Sequence, residues 1–153
     1  MKTKTTKHFL ISVMLLLLVS IIISCCCSPD KLLDNTWVLE QYGSENSQVN
    51  ILDPSGIVYP AKSEIILQFK DDNKFNGNDG CNSIFGEYEV NRRCKIKFGS
   101  ISTTLMMCQE NVMNQASSIR DLLKRSVKYK VTATHLKLYT PDGEILIYIK
   151  NNP

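Results

Sequence analysis

Histidine is nearly missing from this chain: His8 and His135 are the only two in 153 residues. His8 falls in a segment that reads as a leader, so any chemistry needing an imidazole rests on His135, placed after the Thr132-Ala133-Thr134 turn at the predicted start of a strand. A serine triad would have to use that histidine, and no Gly-x-Ser-x-Gly turn accompanies it. A thiol nucleophile at Cys81 or Cys108 would need the same histidine beside it and no disulfide. Calcium ligands are also lacking. In DDNKFNGNDG, taking Asp72 as the first ligand of a calcium loop puts Lys74 third and Ser83 twelfth, where carboxylates are required. A looser set of Asp71, Asp72 and Asp79 competes with a plain solvated turn. Three adjacent thiols, Cys25, Cys26 and Cys27, cannot all face one ion without awkward backbone geometry. Internal repeats are absent, as is low-complexity sequence after residue 24. We therefore expect a protein that is not an enzyme and that holds no metal and no cofactor.

What is present begins with MKTKTTKH and the apolar run Phe9 to Ile23. A basic flank, a run of fifteen apolar or small residues and a small residue at the break predict a secretory leader over residues 1–24, since a spanning helix needs about twenty. Ile22-Ile23-Ser24-Cys25 resembles the bacterial lipobox, which makes Cys25 the expected lipidation site. Cys26 and Cys27 would each have a bulkier cysteine at the preceding position, where Ser24 suits the peptidase. More than one acyl chain on Cys25 would hold the protein stably at a membrane. The expected location is the cell envelope, and the absence of an aspartate after Cys25 points to the outer membrane. Cys26 and Cys27 could take part in further disulfides or stay as exposed thiols. Loss of residues 1–24 removes three lysines and no acid, so the formal charge falls from +3 to zero. A neutral mature chain has no electrostatic attraction for nucleic acid.

About 120 residues then remain, enough for one domain. We expect residues 25–34 to be a tether and 35–150 the domain. Trp37 and Leu39, then Ile65, Leu67 and Phe69, alternate with more polar neighbours as half-buried strands do. Between them Gly43 to Ser63 reads as a long polar connection with a turn at Asp53-Pro54-Ser55-Gly56. EYEVNRRCKIKF reads as a hairpin with Asn91, Arg92 and Arg93 as its loop. That register sets Glu89 against Lys95, Glu87 against Lys97, Tyr88 against Ile96, and Cys94 against Val90 on the inner face. In QENVMNQASSIRDLLKRSV the apolar positions Val112, Ala116, Ile119, Leu122, Leu123 and Val127 follow helical spacing, with acids early and bases late. Strand patterns return around Val127–Val131, Leu136–Leu138 and Ile145–Lys150, with Thr140-Pro141-Asp142-Gly143 as a turn. Strands punctuated at this interval predict a barrel or a sandwich. Trp37, Phe69, Phe75, Phe85, Tyr88 and Phe98 are expected in the core. Met106 and Met107 are expected to fill gaps there or to line an apolar cavity.

NGNDGCNSIFG, Asn76 to Gly86, concentrates glycine and asparagine around one thiol. Gly77 and Gly80 are expected where a strand turns sharply, since glycine and asparagine tolerate left-handed angles. In an exported protein Cys81 is expected to pair with Cys108, closing a loop worth about 3.5 kcal/mol. Pairing of Cys94 with either of them stays open, although it would pull Cys94 from the apolar face of the hairpin.

FNGNDGCNSIFGEYEV, the later FGSISTTLMMC and the acidic helix after it resemble the META domain of the HslJ family. The shared positions are Gly77, Gly80, Asn82, Gly86, Tyr88, Thr104 and Met106, with Trp37 in NTWVLEQY matching the opening strand. Met107 stands where a small residue is usual, and Cys94 matches no family cysteine. The resemblance spans most of Asn35 to Ile149. It implies an α+β fold: a curved antiparallel sheet approaching a cracked barrel, with one helix packed against it. It further implies an envelope protein linked to stress tolerance, with no established catalysis. The leading expectation is an anchored module that binds or protects an unidentified envelope protein. A carrier of lipid or another apolar molecule in the barrel interior is the alternative, and a cysteine enzyme a second one.

Overall fold

A computed structural model of the chain describes residues 28–44, 49–50 and 64–151. The expected leader and Cys25 to Cys27 lie outside the described residues. The first described element is a single 3-10 turn, Pro29–Lys31. It is followed by strands β1 (Thr36–Ser44), β2 (Val49–Asn50), β3 (Ile66–Phe69), β4 (Lys74–Asn78), β5 (Ser83–Val90) and β6 (Ile96–Thr103). Then come the helix α1 (Glu110–Arg125) and the strands β7 (Lys128–Val131), β8 (His135–Tyr139) and β9 (Glu144–Asn151).

The strands form one antiparallel sheet in the order β6-β5-β4-β3-β1-β9-β8-β7, with β2 beside β1. Its two edges meet. Lys95 bridges Lys128, the Ile96 amide donates to the Val127 carbonyl at 3.2 Å, and the Tyr129 amide donates to the Cys94 carbonyl at 2.9 Å. This short seam curls the sheet towards a barrel. The architecture is therefore the expected α+β one.

Alternation explains which side chains enter the core. Trp37, Leu39, Leu67, Phe69, Phe75, Tyr88, Ile96, Phe98, Leu136 and Leu138 all point inward and are buried. Phe69 meets Tyr88 edge-on at 4.8 Å and Phe75 meets Phe98 edge-on at 5.2 Å, the geometry that aromatic quadrupoles favour. The helix contributes Ile119, Leu122 and Leu123 to the same core, so its apolar stripe covers the inside of the sheet. Glu110 in its first turn and Lys124 and Arg125 in its last complement the helix dipole.

Several expectations change. Leu32 is fully buried, accepts the Trp37 indole N–H on its carbonyl at 3.1 Å, and belongs to the core, while Leu33 bridges Phe69. The packed domain thus starts within the expected 25–34 tether. The β5–β6 register is two residues off: Glu89 faces Lys97, Tyr88 faces Phe98 and Val90 faces Ile96. A slip of two preserves which side chains face in, so periodicity could not reveal it. The cause is a wider turn in which the Asn91 side-chain oxygen accepts the amides of Arg93 and Lys95. Cys94 adopts φ 61° in that turn, half-buried, instead of sitting in the strand opposite Val90. Val127 lies past the helix end and is 36% exposed. Phe85 faces outward at 51% exposure, because it alternates with the buried Ile84 on β5. Gly77 does not turn the chain. It lies within β4, and a Cβ there would strike the Ile66 carbonyl oxygen, so close strand approach is what requires glycine. Part of the expected Gly43 to Ser63 connection is strand, since β1 runs to Ser44 and β2 pairs with it. The Asp53 to Gly56 turn lies outside the described residues.

Candidate functional site

The glycine-rich stretch builds a corner between β4 and β5. Gly80 takes φ 95°, which only glycine adopts at no steric cost, and its amide donates to the Asn78 side chain at 3.2 Å. Asp79 is fully buried beneath this turn. One of its carboxylate oxygens accepts the amides of Cys81 at 3.0 Å and Asn82 at 2.7 Å. The other accepts the guanidinium of Arg120 from the middle of α1. Burying a carboxylate costs far more than burying an amide unless it is paired in this way, so the Asp79–Arg120 pair fixes the helix against the corner.

Cys81 and Cys108 are disulfide-bonded with Cα atoms 6.1 Å apart. Together with Val112 and Ala116 they form a small apolar cluster of their own under the start of α1. Asn82 completes the bracing. Its side-chain oxygen accepts the Thr104 hydroxyl at 2.9 Å and the Met106 amide at 2.7 Å, and the Thr104 hydroxyl in turn accepts the Ser83 amide at 3.1 Å. The segment between Thr104 and Cys108 is thereby pinned at both ends while its side chains point out. Leu105 is 96% exposed, Met106 54% and Met107 89%. The two methionines neither fill the core nor line a cavity, in contrast to the sequence expectation.

The remaining positions singled out in the sequence are structural. A Cβ on Gly86 would lie 2.5 Å from the Ser100 carbonyl oxygen and 2.9 Å from the Phe75 ring. Tyr88 is buried, and its hydroxyl donates to the Lys70 carbonyl at 3.0 Å. Burial raises its pKa, with Asp72 and Asp71 adding to the rise. The candidate chemical groups are not brought together. The Nδ1 of His135 lies 2.8 Å from the Thr134 hydroxyl and its Nε2 3.9 Å from Glu40. Cys81 and Cys108 are bonded to each other, so neither offers the free thiol that a cysteine enzyme requires. Cys94 is disulfide-bonded as well. Asp72 pairs with Lys74 at 2.7 Å and Asp79 with Arg120, which separates the carboxylates of the loose calcium set. Among the described residues no cluster of three or more His, Cys, Asp or Glu is placed to hold a metal.

The model of the META domain matches residues 30–153. The chain belongs to the META domain family. Solved structures with this fold include three that cover most of the chain. One is an NMR structure of a protein from Burkholderia xenovorans, 18% identical, covering 83% of this chain and 90% of that one at a TM-score of 0.65. Another NMR structure is 24% identical and covers 80% and 93% at 0.58. A crystal structure of a DUF4847 family protein from Bacteroides vulgatus is 15% identical and covers 79% and 94% at 0.55. At these identities the likeness establishes the fold of the META domain and nothing of its activity. No curated protein matches the chain.

Two features of this META domain were not read from the sequence. The Asp79–Arg120 pair joins residues 41 apart, a separation that only the folded sheet brings together. Gln115, on the buried face of α1, keeps both amide atoms without a hydrogen-bond partner. Its place in the helical stripe, four residues before Ile119, was the available signal.

Proposed function

We propose that this META domain is a non-enzymatic module, lipid-anchored in a bacterial envelope through Cys25, that binds a protein partner with the Leu105–Met107 loop and supports the envelope under stress. One observation carries this reading: three consecutive large apolar side chains stand in solvent on a loop held rigid by Asn82 and by the disulfide. Exposed apolar residues scattered singly are normal, whereas a contiguous and pre-ordered set is the form a protein contact takes. Rigidity lowers the entropy lost on binding, and unbranched methionine adapts to varied partner surfaces. Trp37, Phe69, Phe75, Tyr129 and Tyr148 occupy the described interior of the sheet, which supports a binding surface outside it. That filling gives the lipid-carrier reading no comparable support.

A photo-crosslinking residue at position 105 or 107, introduced into the chain in intact cells, tests the proposal. We expect one saturable adduct, reduced at least tenfold when the two residues of Leu105, Met106 and Met107 that do not carry the probe are changed to serine with the fold intact. Absence of a saturable adduct at either position would refute partner binding by the loop. Mass spectrometry of the mature N-terminus tests the anchor separately, an unmodified Cys25 being the adverse result.

A further inference from the structure

The seam that closes the sheet presents lysines on its outer surface. Lys95, just before β6, and Lys97 within it flank the buried Ile96, and on β7 Lys128 and Lys130 flank the buried Tyr129. All four are exposed. Lys95 lies directly opposite Lys128 across the seam, and Lys130 directly opposite Lys137 on β8. Like charges in directly opposed positions work against strand pairing. Lys97 has Glu89 opposite it, and Glu40, which faces His135 at 3.9 Å, lines one surface hollow with Lys130 and Lys137 without reaching ion-pair distance of either. None of Lys95, Lys128, Lys130 and Lys137 enters a salt bridge among the described residues, while Asp72, Asp79, Asp121, Asp142 and Glu144 are matched with Lys74, Arg120 and Arg125. Arg92 and Arg93, exposed at the β5–β6 turn, lengthen the cationic strip.

The described chain starts beside this strip. The Tyr129 hydroxyl donates to the Asn91 carbonyl at the β5–β6 turn at 3.2 Å. Leu33, two residues after the 3-10 turn, bridges Phe69, whose ring centroid lies 6.2 Å from that of Phe98 on β6, so the first described residues approach the start of β6. Residues 25 to 28 can span no more than about 10 Å, close to the Debye length of about 8 Å at physiological salt.

We propose that the lysine seam rests on the anionic phosphate headgroups of the bilayer that holds the chain's N-terminal end. This rests on the anchoring at Cys25 given above. An array of ammonium groups that repel one another and, among the described residues, outnumber the acids beside them gains from a sheet of phosphates, and a short tether keeps that sheet within electrostatic range. The seam involves the start of β6 and the Leu105–Met107 loop follows its far end, so the domain would meet the membrane with one and a protein with the other.

The test uses the full chain, made and processed in a bacterial host, with vesicles of pure phosphatidylcholine or of phosphatidylcholine containing phosphatidylglycerol. Lysines are labelled with a membrane-impermeant acetylating reagent and read by peptide mass spectrometry, with Lys74 as the internal control. We expect roughly fivefold protection of Lys95, Lys128 and Lys130 on the anionic vesicles, lost at high salt and absent on the neutral ones. The double variant Lys128→Glu with Lys137→Glu puts opposite charges across both lysine pairs, which preserves the sheet, and should abolish protection of Lys95 and Lys130. Equal labelling on both vesicles overturns the proposal. So does equal protection by an acidic polypeptide or DNA, which would make the strip a general anion binder. The N-terminal mass is recorded on the same sample: protection with unmodified Cys25 keeps the seam contact and removes the anchor, and acylated Cys25 without protection does the reverse.

Discussion

The corner at Asp79–Asn82 and the seam at Lys95–Lys128 belong to one sheet but are held by opposite means. At the corner a covalent bond, a buried ion pair and several side-chain hydrogen bonds converge on a few residues. At the seam one bridge and two backbone hydrogen bonds join edges whose outward side chains repel. The corner spends its interactions on fixing a loop whose apolar side chains remain in water. The seam leaves its charges unmatched within the domain. Both arrangements are locally costly for an isolated fold, and each becomes favourable once an external surface of the right chemistry is supplied.

The largest expected effect comes from breaking the corner. Asp79→Ala strands Arg120 and the amides of Cys81 and Asn82, and should cost about 4 kcal/mol in urea unfolding. Loss of the Cys81–Cys108 bond, in the Cys81→Ser and Cys108→Ser double variant, should cost about 3.5 kcal/mol by the same measurement. If either change costs under about 1 kcal/mol, the corner is no better secured than the seam and the contrast fails.

A third test probes the core that both regions enclose. Tyr148 is fully buried, and desolvation alone raises its pKa far above the ordinary tyrosine value. Tyr88 and Tyr129 shift the same way. In the unfolded chain these phenols ionise near pH 10 while in the fold they stay protonated, so the unfolded state binds fewer protons above that pH. Stability is then complete below about pH 10 and falls above it, by about 1.4 kcal/mol per pH unit for one such group. Tyr148→Phe should flatten the alkaline limb of a melting-temperature profile and leave the neutral region nearly unchanged.

Smaller effects should have the opposite sign. Gln115→Leu removes a buried amide without partners and should stabilise by about 1 kcal/mol. Lys130→Glu turns a repulsive cross-strand pair into an attractive one and should add up to about 1 kcal/mol, decreasing with salt. A loss of stability in Lys130→Glu would show that the seam charges are already compensated within the chain.

Much of the fold was readable because strand and helix periods are local properties. Trp37, Leu67 and Phe69 announced inward faces, and Val112 to Leu123 the helical stripe. The family motif placed Cys81 and Cys108 in the two segments that the bond joins. What failed depended on longer reach. The β5–β6 slip by two residues left every face unchanged and turned on one asparagine side chain in the turn. Gly77 was read as a bend because its neighbours suggest one, whereas its requirement is set by a carbonyl on a different strand. Phe85 and Met107 were assigned to the core on hydrophobicity alone, and hydrophobicity cannot tell a packed residue from one kept on display. The seam lysines lie far apart in the chain and acquire a common meaning only when the edges meet.

The Trp37–Leu32 contact has a mechanical consequence. A pull on the N-terminal end does not peel a loose lead, because it arrives at Leu32, whose side chain is sealed in the core and whose carbonyl is clamped by the indole of the first strand. Tension is passed into β1, which is paired on both sides, with β3 and with β9. Several backbone bonds would have to shear together before the chain could yield there.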